Sequence, residues 1–380
     1  MFDNVHKARN NSKSGLDQYH IVDVSDNRRP IYGVLTEPLR GDMQTKVDFD
    51  KKNQSEESYA SQEETSYIPK SHVQFLEQSG IRVVPISYLD TDEEILELLG
   101  QVNGVYTPGD SHKAIVNQRY QHAFSTILNY VKAQNTNEKD YFPIFMMGKS
   151  SQVFISQVGK SPNILKPMHN WSNRNTNLTV LQDFDDTFLL HQLGNDPSSA
   201  HAFDMGEFFN KQMSGFRVKD IKSDDRLGKI ITPIATFRDS ALSDTRLSFA
   251  NKNGTKYNAG EEFVAIAEHK DMPLYIFTYN IEMTQFIYTD LMKQPDQEEL
   301  IDKSIPARHH AQFISHQIAD EARINNHKFA VTEKEYSNLI RHHKLATVEY
   351  AKEQPRANMK DHHFALPLGL EKHDIYIIEQ

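Results

Sequence analysis

Apolar residues in this chain cluster into short runs set apart by long polar stretches, and the runs alternate between strand-like and helix-like spacing. Ile31-Tyr32-Gly33-Val34-Leu35 is a compact apolar run that predicts a buried strand. Tyr67 to Ser79 places Ile68, Val73, Phe75 and Leu76 near helical spacing and closes at Gly80. A second strand follows in Ile81-Arg82-Val83-Val84-Pro85-Ile86. Asp92 to Leu99 carries Ile95, Leu96, Leu98 and Leu99 behind acidic residues, as a helix N-terminus favours, and stops at Gly100. Val102-Asn103-Gly104-Val105-Tyr106 then predicts a strand, 117–133 a longer helix, and Tyr141 to Met147 another strand. Such alternation implies a mostly parallel sheet with helices on both faces.

The pattern weakens from Asn163 to Tyr257, where Asn, Asp and Ser clusters permit only mixed strands with loop insertions. It recovers in two strand-like runs, Glu262 to Ala267 and Pro273 to Tyr279, whose short separation suits a hairpin. Tyr275, Phe277 and Tyr279 alternate there as core residues do. A long helix is predicted over about 305–325, with Phe313, Ile314, Ile318, Ala319 and Ala322 on one face. These runs predict a domain over 29–329, preceded by a polar arm at 1–28 and followed by a C-terminal extension at 330–380 that carries one helix over 333–342. Within the domain, 41–66 is expected to be a polar insertion, because its composition cannot bury enough surface to fold alone.

Composition narrows the chemistry. The 380 residues carry a formal charge of -10, which disfavours nucleic acid as a partner, since that role needs clustered positive charge. There is no cysteine, which excludes a thiol nucleophile, disulfides and cysteine-ligated metal. No apolar run approaches the roughly 20 residues that span a bilayer, so no transmembrane segment is expected. Met1 to Leu16 lacks a signal-type apolar stretch, and the expected location is intracellular, cytoplasmic or mitochondrial. The pairs His309-His310, His342-His343 and His362-His363 lack the three- or four-residue spacing of helical metal ligands, so no metal or other cofactor is expected. The Asn-X-Ser/Thr matches at Asn53, Asn170, Asn177 and Asn253 are read as chance in an asparagine-rich chain.

Taken in order, several segments resemble the γ-glutamyl hydrolase family, of the class I glutamine amidotransferase-like (flavodoxin-like) fold. They are Arg29 to Leu35, Tyr67 to Ile86, Val102 to Asp110, Glu262 to Tyr279, and Asp320-Glu321-Ala322-Arg323-Ile324-Asn325-Asn326-His327-Lys328-Phe329. The resemblance implies a cysteine amidohydrolase site: a thiolate on a strained elbow, a histidine base, an acid that orients it, and backbone donors for the oxyanion. At the family's Gly-Thr-Cys-Leu-Gly elbow this chain reads Met146-Met147-Gly148-Lys149-Ser150, placing Gly148 at the nucleophile and side chains at both flanking glycines, where they are expected to crowd the pocket. The family's His-Pro-Glu reads Asn280-Ile281-Glu282, so Asn280 stands at the base and only the acid, Glu282, is retained. Its Pro-Gly-Gly reads Pro108-Gly109-Asp110, with a carboxylate at the oxyanion glycine.

These differences imply a catalytically inactive member of the family that serves as a structural or interaction subunit, with protein partners in a larger assembly. The alternatives are a non-catalytic binder of a γ-glutamyl or folate-like ligand, a small-molecule question the residues leave open, and a residual hydrolase. For the last, Gly148-Lys149-Ser150 would have to slide into register so that Ser150 became the nucleophile, with Lys149 as base. The same three residues mimic the end of a phosphate-binding loop, but Pro143 stands where that motif needs glycine.

Overall fold

The computed structural model describes residues 27–38, 43–44, 66–109, 113–138, 140–161, 163–169, 176–181, 201–202, 212–238, 262–286, 305–350 and 372–378. Its centre is an eight-stranded sheet. In chain order the strands are β1 (Ile31–Leu35), β2 (Arg82–Ile86), β3 (Val105–Thr107), β4 (Ile144–Met147), β5 (Thr179–Val180), β6 (Ile231–Arg238), β7 (Glu262–His269) and β8 (Leu274–Phe277), and their spatial order is β5-β6-β7-β8-β4-β3-β1-β2. The five strands β8-β4-β3-β1-β2 run parallel, while β5, β6 and β7 add antiparallel pairs. Connections reverse direction beside β1 and β3, which opens the usual ligand crevice of such sheets at their C-terminal ends.

Helices cover both faces, as the βα alternation implied. Helices α1 (Lys70–Glu77) and α5 (Ile305–Ile324) bury Val73, Phe75, Leu76, Ile314 and Ile318 on one face. On the other, α2 (Asp92–Leu99), α3 (Gln118–Ala133) and α4 (Gly148–Val158) bury Ile95, Leu99, Phe124, Ile127 and Phe154. Strand residues alternate between the layers, Tyr32 and Val34 facing one and Ile31 and Leu35 the other. Tyr275, Phe277 and Tyr279 are core, with the Phe145 and Tyr275 rings stacked at 4.5 Å. The acidic front of α2 is a capping box: Thr91 Oγ1 accepts from the Glu94 amide at 3.3 Å while the Thr91 amide donates to Glu94 Oε2 at 2.9 Å.

Two sequence expectations change. Tyr67 and Ile68 do not begin the first helix; they belong to a strand, Ser66–Pro69, and α1 starts at Lys70. Pro69 accounts for this, because the residue before a proline is pushed to extended backbone. The second change concerns the extension at 330–380. Its strands Lys344–Tyr350 and Lys372–Ile378 are built into a second, five-stranded sheet with Glu37–Pro38, Met43–Gln44 and Ser66–Pro69. Ile375, Ile377 and Ile378 are buried there, so these apolar residues help close the domain. The expected helix over 333–342 is a helix at Thr332–Asn338 followed by one 3₁₀ turn at Ile340–His342. Within 163–257, where mixed strands are expected, Leu165–His169 pairs with Gln212–Phe216. Of the arm at 1–28, residues 1–26 lie outside the described residues.

Candidate functional site

Pro108-Gly109, the elbow at Met147-Gly148 and Asn280-Ile281-Glu282 meet at the C-terminal edge of the parallel strands. β4 ends at Met147 and α4 begins at once with Gly148, whose φ is +48°. This is a sharp strand-to-helix elbow. A left-handed backbone at that point strains any residue with a Cβ, and glycine removes the strain along with the side chain. A Cβ built on Gly148 would stand 2.7 Å from the Gly109 carbonyl oxygen and 2.9 Å from Asn280 Oδ1. Gly148, Gly109 and Asn280, far apart in sequence, are therefore in contact.

Two main-chain segments meet at the elbow. The Lys149 amide donates to the Gly109 carbonyl at 3.0 Å, so the first amide after the elbow is engaged by the strand end opposite. A Cβ on Gly109 would collide with the Met147 carbonyl and the Lys149 amide. The two backbones touch, and only glycine at both positions permits it. Met146 and Ser150 do not crowd the cleft, as was expected of them. Met146 packs in the core on the α3 and α4 face, and Ser150 is fully buried beneath the elbow.

That burial also bears on Ser150 as a nucleophile. Its hydroxyl faces the carbonyls of Met147 at 2.7 Å and Thr107 at 2.9 Å and accepts from Thr107 Oγ1 at 2.9 Å. It ties α4 to β3 and β4. Ser151 likewise donates to the Gly148 carbonyl at 2.6 Å.

Asn280 and Glu282 follow β8, and both are buried. Asn280 Nδ2 donates to Glu282 Oε1 at 3.3 Å, and the same oxygen lies 3.5 Å from Nε2 of His72 on α1. His72 Nδ1 is 2.7 Å from the hydroxyl of Tyr106 on β3. His72 and Tyr106 were not singled out in the sequence. The available signal was a histidine on the apolar face of a helix, one turn before Phe75 and Leu76. Asp110 lies outside the described residues.

The histidine pairs do not act as units. His309 is exposed while His310 is buried and 2.8 Å from the Tyr279 hydroxyl; His342 is exposed and packs on the Tyr336 ring; His362 and His363 lie outside the described residues. Among the described residues no group of three or more His, Asp or Glu side chains is placed to hold a metal ion. Nor is any helix among them long and apolar enough to cross a membrane.

Sequence relatives agree with the resemblance. γ-Glutamyl hydrolase B of Dictyostelium discoideum is 23% identical over 322 residues, 83% of this chain and 78% of that protein. The γ-glutamyl hydrolase of Homo sapiens is 23% identical over 279 residues, 71% and 75% of the two chains. Among solved structures, PurLQS from Thermotoga maritima matches 77% of this chain and 99% of its own at 12% identity with a TM-score of 0.34. No family model matches the chain.

Proposed function

We propose that this chain, a homologue of the γ-glutamyl hydrolases over most of its length, keeps their scaffold without their hydrolysis and serves as a structural or interaction subunit of a larger assembly. The observation that carries this reading is the closed elbow: Gly148 offers no nucleophile, and the Lys149 amide beside it is bonded to Gly109. Acyl transfer needs an attacking group, a base in reach of it, and donors aimed at the developing oxyanion. Asn280 cannot take up a proton near neutral pH, and its amide serves Glu282. Ser150 and Lys149 do not rescue the chemistry, since the serine hydroxyl is turned into the packed layer. The same backbone contact disfavours a retained γ-glutamyl site, because a ligand carbonyl would have to displace Gly109.

The scaffold role is tested by native-size fractionation of the endogenous protein, followed by affinity capture and mass spectrometry at high salt. Recovery at high mass with a fixed set of partners is the expected result. Recovery as a free monomer or dimer contradicts the assembly role. A rise in Tm with added folylpolyglutamate would favour a binding protein, since a ligand that prefers the native state must stabilise it.

A further inference from the structure

His72 and Glu282 are both fully buried, one on α1 and the other in the turn that follows β8. α1 packs directly against the short helix Met283–Phe286 that continues this turn. We propose that His72 and Glu282 form a proton-dependent staple that fastens α1 to the turn carrying Asn280 and holds the elbow region shut.

A carboxylate without solvent needs an opposing charge or several donors, and the His72 ring, with Nε2 3.5 Å away, supplies the charge when it is protonated. Tyr106 makes both protonation states of His72 tolerable. Its hydroxyl, 2.7 Å from Nδ1, donates to the unprotonated nitrogen and accepts from the protonated one. Loss of the proton therefore leaves Nδ1 bonded, and the change falls on Glu282, which then faces a neutral ring in place of a cation. Attraction between α1 and the turn weakens as pH rises through the titration of the imidazole.

Other ionisable groups stand on the elements packed here. On α1, Lys70 pairs with Asp374 at 2.8 Å, and Glu77 lies beside Arg341 and Tyr376. On α5, His310 meets the Tyr279 hydroxyl. Lys149 stands at the start of α4, behind Gly148. The staple does not depend on whether the chain hydrolyses anything, so its failure would leave the functional reading untouched.

The test follows Tm of the full chain between about pH 6 and about pH 8, the range in which histidine titrates, for wild type, Glu282→Gln, His72→Phe and the double variant. Wild type should lose about 3 °C more across that range than Glu282→Gln does. The two single effects at the lower pH should not add in the double variant. If His72→Phe does not fold, Glu282→Gln decides alone: a shallower pH dependence supports the staple. A pH dependence identical to wild type in Glu282→Gln, or strict additivity in the double variant, overturns it.

Discussion

The two ends of the parallel strands treat polar residues in opposite ways. At the C-terminal end, glycine, asparagine and serine stand where the resemblance calls for a thiolate, a base and a turn glycine, and the backbones close over the gap. At the N-terminal end, buried polar groups form a saturated network. Asn325, fully buried after α5, donates from Nδ2 to the Tyr141 carbonyl at 2.9 Å and accepts at Oδ1 from the His327 amide at 2.8 Å and Asn103 Nδ2 at 3.1 Å. Asn103 also accepts from the Ile31 amide at 2.8 Å, and His327 Nε2 meets Asp140 at 2.7 Å. Glu321 is held by the hydroxyls of Tyr141 and Tyr275. The C-terminal edge joins main-chain segments at glycines; the N-terminal edge fastens the end of α5 to β1, β3 and β4.

Substitutions should separate the two edges by size of effect. Asn325→Ala should be the most damaging, by on the order of 4 kcal/mol, because it strands several buried partners at once. Urea denaturation measures this, and a loss under about 1 kcal/mol would show the network to be dispensable. Gly148→Ala should cost about 2 kcal/mol, since it places a Cβ at positive φ against Gly109 and Asn280. A neutral outcome would mean that the elbow opens easily and that the closed contact is loose.

A smaller effect is expected at His327, and it depends on pH. Burial pushes the His327 pKa down, but the hydrogen bond and charge of Asp140, with the carbonyls of Leu99 and Val102, outweigh it and hold the pKa above the ordinary histidine value. A raised folded-state pKa adds stability that is fully present below the unfolded value of about 6.5 and is lost as pH rises through the folded value. The Tm gap between wild type and His327→Gln should therefore be widest in mild acid and narrow toward alkaline pH. A gap that widens with pH would refute the assignment. Smallest of all, Glu335→Ala, which removes the partly exposed ion pair with Arg82, should change stability by less than about 1 kcal/mol.

Much of the parallel sheet was legible because its strands are continuous apolar runs and its helices carry strong stop signals. Gly80 and Gly100 follow α1 and α2 within three residues, as expected. The second sheet was not legible. Ser66–Pro69 and Lys372–Ile378 pair through Pro69 and Ile375, 306 residues apart, and such long-range hydrogen bonding is not encoded in local periodicity. At the site, the residue types at Gly148, Asn280 and Glu282 could be read by resemblance, but the mode of closure could not. The Lys149 to Gly109 bond is made between main-chain atoms, which carry no residue signature. His72 was missed because a histidine on an apolar helix face looks the same in sequence whether it meets a carboxylate or a carbonyl.

The most direct test of the account is release of glutamate from a γ-glutamyl peptide by the purified full-length chain, with a wild-type γ-glutamyl hydrolase as positive control. The account predicts a rate indistinguishable from buffer, unchanged in Ser150→Ala and Glu282→Gln. Turnover that vanishes on heat denaturation and falls in either variant would contradict it and return this chain to the working hydrolases.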